Sequence, residues 1–74
     1  MDINKKVLLL AILKKEEDET INDVVSKLEN TNLFSLKEGK RLLKELKKDE
    51  FIINNILSLK GNLTAKDIEK EFQI

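Results

Sequence analysis

The chain has 74 residues, 41% hydrophobic and 38% charged, and its fourteen basic and fourteen acidic side chains cancel to a formal net charge of zero. Its size makes one domain, residues 1–74, which buries only about 60% of the surface its unfolded form exposes and so holds a thin stability margin. With no Cys and no His it can form neither a disulfide nor a zinc cluster, so helix packing or self-association must carry stability.

The same absence removes the commonest general bases and strongest nucleophiles. No Gly-rich phosphate loop occurs, and the acidic run Glu16-Glu17-Asp18-Glu19 lacks the spaced ligands and turn glycine of a calcium loop. No catalytic residue, metal ligand or cofactor is therefore expected, and the chain reads as a non-enzyme.

Asp2 or Asn4 caps a first helix, residues 3–15, around the run VLLLAIL at 7–13. That run falls well short of the roughly 20 apolar residues of a membrane span. KKEEDE follows where a secretory cleavage site would need small residues. The expectation is a central core helix in a soluble cytoplasmic protein that does not enter a membrane, and zero Cys fits a reducing interior. An apolar run that wraps the whole helix also leaves a homodimer interface open as an alternative.

TIND (20–23), SLKE (35–38) and TAKD (64–67) each set a hydroxyl three residues before a carboxylate. This is the capping-box spacing, strict for Ser35 with Glu38 and weaker for the Thr/Asp pairs, and it predicts three helix starts. Ile21, Val24, Val25 and Leu28 form the apolar stripe of the second helix. ENTNLF (29–34) reads as a loop returning Leu33 and Phe34 to the core, and the third helix runs from Leu36 to about Asp49. Residues 51–59, FIINNILSL, suit a hairpin turning on Asn54-Asn55, although a helix would also gather Ile52, Ile53, Ile56 and Leu57 on one face; β-branching and the Asn pair favour the hairpin. Lys60-Gly61-Asn62 then turns into a last helix, 64–73, with Ile68 and Phe72 inward. Gly39, on the apolar side of the third helix, is expected to make room for the Phe34 ring or the first helix.

The order helix, helix, helix, hairpin, helix, with LLKELKKDEFI (42–52) running into ILSLKGNLT (56–64) and TINDVVSKL (20–28) as second helix, resembles a winged helix-turn-helix domain over nearly the whole chain. The resemblance implies a mostly α (α+β) fold with a three-helix core, a short two-stranded wing and a C-terminal helix. It also implies DNA binding, with residues 36–49 as recognition helix in a transcriptional regulator. The chain departs from the pattern in a longer second connection, residues 29–34, and in a wing bare of charge except for Lys60. Winged-helix domains also serve as protein-interaction modules, here for an acidic protein partner or a second copy.

On a helical wheel Lys37, Lys40, Arg41, Lys44, Lys47 and Lys48 fall within an arc of about 120°. Glu38, Glu45 and Asp49 form a separate strip beside the apolar face. Residues 35–48 hold six cations and two carboxylates, while residues 16–31 hold six carboxylates and one cation, so overall neutrality hides two poles. Mixing the charges would gain i, i+4 pairs; segregating them forgoes part of that gain, which marks the arc as the candidate nucleic-acid-binding surface. Arg41 is the one member of the arc suited to reading base edges.

Overall fold

A computed structural model describes residues 1–72: α1 (Ile3–Lys14), α2 (Ile21–Asn30), α3 (Leu36–Lys48), the antiparallel strands β1 (Ile52–Ile53) and β2 (Ile56–Leu57), and α4 (Leu59–Phe72). The domain is a helical core with a small hairpin and a C-terminal helix. Asp2 opens α1 by accepting the Asn4 N–H at 2.9 Å. Leu8, Leu9 and Ile12 are buried while Leu10, Ala11 and Leu13 pack half-buried around them, because α1 touches each of the other three helices. Most of its all-round apolar character is thus covered within one copy of the fold.

Leu8, Leu9, Leu42 and Leu46 are fully enclosed, each contributing about 1.5–3 kcal/mol of transfer free energy. Phe34 closes the α2–α3 end of this core, but Leu33 beside it stays exposed, against the expectation that both return inward. A β-carbon on Gly39 would stand 2.7 Å from Val25 Cγ1 and 2.8 Å from Phe34 Cε1. Gly39 therefore admits the Phe34 ring as expected, together with α2 rather than α1.

Helix ends follow local chemistry. Thr20 Oγ1 accepts the Asp23 N–H at 3.1 Å and the Asp23 carboxylate accepts the Thr20 N–H at 2.9 Å, a complete capping box. Ser35 accepts the Glu38 N–H at 3.1 Å, yet Glu38 turns away to Arg41, so the stricter sequence box is the one left half made. α2 and α3 end alike. Asn32 (φ 62) and Glu50 (φ 64) adopt the left-handed conformation, and the next N–H, of Leu33 or Phe51, reaches back to Leu28 or Leu46, which is the Schellman pattern.

Asn54 and Asn55 both have positive φ, 55 and 64, giving the type I′ turn whose twist suits a two-residue hairpin. Ile52 pairs with Leu57 and Ile53 with Ile56. α4 then starts earlier than the Thr64 box predicts. Ser58 Oγ accepts the Gly61 N–H at 3.0 Å and donates to the Glu50 carbonyl at 2.6 Å. The hydroxyl ties α4 to the end of α3, so Lys60-Gly61-Asn62 is helix and Thr64 lies inside it. Ile68 is buried as expected, but Phe72 stays exposed; residue 73, the expected helix end, lies outside the described residues.

Candidate nucleic-acid interface

α3 owes its two-sidedness to Leu42, Leu43, Leu46 and Gly39, which face the core and turn every cation of the helix outward. Lys37, Lys40, Arg41, Lys44, Lys47 and Lys48 are all exposed, so the helix brings the six predicted residues onto one solvent face. The structure separates them into two kinds.

Arg41 is committed to its own helix. Its Nε donates to Glu38 Oε2 at 2.9 Å, and its two terminal nitrogens meet Glu38 and Glu45. The Glu38 bond is the main cause holding the guanidinium still further above its ordinary range, and in return Arg41 holds Glu38 below the usual carboxylate range. Glu45 also takes Lys5 of α1 at 2.7 Å, and Lys5 lies 3.9 Å from Asp49. The Lys5 bond, ahead of the Arg41 charge, lowers the Glu45 pKa. Arg41, from within the arc, and Lys5, from α1, thus engage all three acids of the α3 strip.

The other five cations have no such partners. Among the described residues Lys37, Lys40, Lys44, Lys47 and Lys48 take part in no ion pair. Their mutual repulsion is tempered only by water, salt and, for Lys47 and Lys48, the negative end of the helix dipole. Lys47 also borders a cleft of about 350 Å³ shared with Lys15, Glu19, Asn22 and Asn55. No spacing in the sequence announces this cleft, because its walls come from both ends of the α1–α2 connection, α3 and the hairpin turn. Its amides and ammoniums could meet an anion, but Glu19 stands among them, and the N–H groups of the α2 start are partly used by the Thr20–Asp23 box.

The hairpin adds no cation to the surface. Lys60, the one basic residue near it, donates to the Asp49 carbonyl at 2.9 Å and lies 4.6 Å from the Phe51 ring centroid, joining α4 to the end of α3. The acidic pole sits at the α1–α2 turn, with Glu16, Glu17 and Asp18 exposed and Glu19 paired to Lys27. Among the described residues no acid or histidine cluster could hold a metal ion, and no helix is long and apolar enough to cross a membrane. No family model, no curated protein and no solved structure matches the chain.

Proposed function

We propose that the chain is a small winged-helix DNA-binding protein, cytoplasmic and non-enzymatic, that acts as a regulator by laying the lysine face of α3 against the phosphate backbone. The supporting observation is the division within α3: five lysines stand exposed without counter-charges, while Arg41 and Lys5 neutralise every acid of that helix. Lysine is a flexible point charge suited to phosphates, whereas base reading relies on the bidentate fork of Arg or the amides of Asn and Gln. With the Arg41 fork already occupied, affinity comes from the backbone and sequence preference from α3 is weak.

Fluorescence anisotropy with a random labelled duplex at low and moderate salt tests this reading. Wild type binds at low salt, Lys40→Glu/Lys44→Glu abolishes binding, and unrelated duplexes of equal length compete within a few-fold of one another. A wild type that ignores DNA at low salt, or a double variant that binds as well as wild type, refutes it; capture of polyglutamate without DNA would assign the face to an acidic protein partner.

A further inference from the structure

The outer sides of the hairpin and of α4 carry aliphatic side chains that stand largely exposed among the described residues. Leu59 is 79% exposed, Ile56 62%, Leu63 56% and Ile53 46%. The ladder explains the sorting, since the Ile52–Leu57 pair turns toward the core while the Ile53–Ile56 pair turns away. On α4, Leu59, Leu63, Lys66 and Lys70 follow one another at the spacing of a single helical stripe, opposite the buried Gly61, Ala65 and Ile68. The two surfaces adjoin: Ile56 and Leu57 share a shallow groove with Leu13, Glu17 and Asn62, and Asn62 lies one turn from Leu59. Scattered exposed aliphatics are ordinary, but an adjoining group ringed by charge marks an association surface.

The ring has two signs. Beside the groove stand the exposed carboxylates Glu16, Glu17 and Asp18, with the Lys15 ammonium turned toward the Glu16 carbonyl at 3.5 Å. Along the α4 stripe stand Lys66 and Lys70, neither in an ion pair among the described residues. A face acidic at one edge and basic at the other is its own electrostatic complement under a two-fold axis, because each copy then sets its acids against the other's lysines. We propose that this face is a homodimer interface and that its occupant is a second copy of the chain. An acidic protein or an anionic membrane would match the lysine edge and be repelled by the other; a second copy satisfies both. The face shares no residue with α3, so the dimer and DNA binding stand or fall separately.

Sedimentation equilibrium tests the proposal. Wild type forms a dimer that Leu59→Lys or Leu63→Lys, at exposed positions where far-UV circular dichroism verifies the fold, weakens by about tenfold or more. Lys66→Glu/Lys70→Glu and Glu16→Lys/Glu17→Lys are each monomeric alone, and their equimolar mixture recovers a dimer. Lys40→Glu/Lys44→Glu on α3 leaves the dimer intact. A wild type still monomeric at about 100 μM, a dimer indifferent to the leucine changes, loss of the dimer in the α3 variant, or a mixture that stays monomeric overturns it.

Discussion

Gly61→Ala sets helix propensity against packing, and the two predict opposite signs. Within a helix Ala is favoured over Gly by about 1 kcal/mol, so a view confined to local sequence expects a more stable protein. The structure places a β-carbon on residue 61 at 2.9 Å from the Phe51 carbonyl carbon, 3.2 Å from its Cα and closer still to its oxygen, where carbon–carbon contacts are ordinarily about 3.5–4.0 Å. The obstacle is backbone and cannot rotate away. Phe51 is held by its N–H on the Leu46 carbonyl and by its own carbonyl accepting the Ser58 N–H, each at 2.9 Å. The first turn of α4 must withdraw by about 1 Å to restore contact distance, which stretches the Ser58 bonds and loosens Ile52 and Ala65. Two weakened hydrogen bonds at about 1 kcal/mol each, with about 1–3 kcal/mol of overpacking, exceed the propensity gain. The net loss is about 2–4 kcal/mol, a fall in Tm of roughly 13–26 °C for a domain this small. Thermal and urea unfolding followed by far-UV circular dichroism measures it. An unchanged or raised Tm would refute the close approach of α4 to Phe51. Gly39→Ala is the companion measurement: its neighbours are the Val25 and Phe34 side chains, which can shift, so its loss is the smaller of the two.

In the DNA assay, five unpaired lysines imply a log–log salt slope of about −4 to −5, and Lys40→Ala makes it shallower by about 1; a slope unchanged by the substitution rejects Lys40 as a phosphate contact. Glu50→Gly raises stability by about 0.5–1 kcal/mol, because a non-glycine residue at φ 64 is strained while glycine returns part of the gain through a freer unfolded chain; a lower urea midpoint contradicts this. Acid weakens the fold. The Thr20 N–H and hydroxyl hold Asp23 below the usual carboxylate range, Lys27 does so for Glu19, Lys5 for Glu45 and Arg41 for Glu38. These depressed values mean the unfolded chain binds protons first, so their stabilisation is complete above the ordinary carboxylate pKa of about 4 and is lost as pH falls through the folded values. The urea midpoint therefore stays level from neutral pH to about pH 5 and drops below about pH 4, less steeply in Asp23→Asn; a midpoint constant down to about pH 3 rules these contacts out as a source of stability.

What the sequence by itself determined is whatever rests on spacing along one element. The apolar stripe at Ile21, Val24, Val25 and Leu28, the caps at Thr20 and Ser35 and the lysine arc of α3 all follow from periodicity and from side chains within a few residues of the backbone groups they serve, whereas Asp2 over Asn4 as first cap and hairpin over helix at 51–59 were options the sequence left open. Tertiary structure decided between local options of similar strength. Ser58 rather than Thr64 opens α4 because the Ser58 hydroxyl also reaches the Glu50 carbonyl, a partner visible only once the hairpin has folded back. Glu45, besides pairing with Arg41 of its own helix, takes Lys5 arriving on α1, which also comes within 3.9 Å of Asp49. Phe72, at an inward phase of α4, stays 43% exposed, and Gly61 becomes indispensable because Phe51 passes beneath it. A cap, a turn or a surface ion pair is worth about 1 kcal/mol, so a single long-range contact is enough to choose among them.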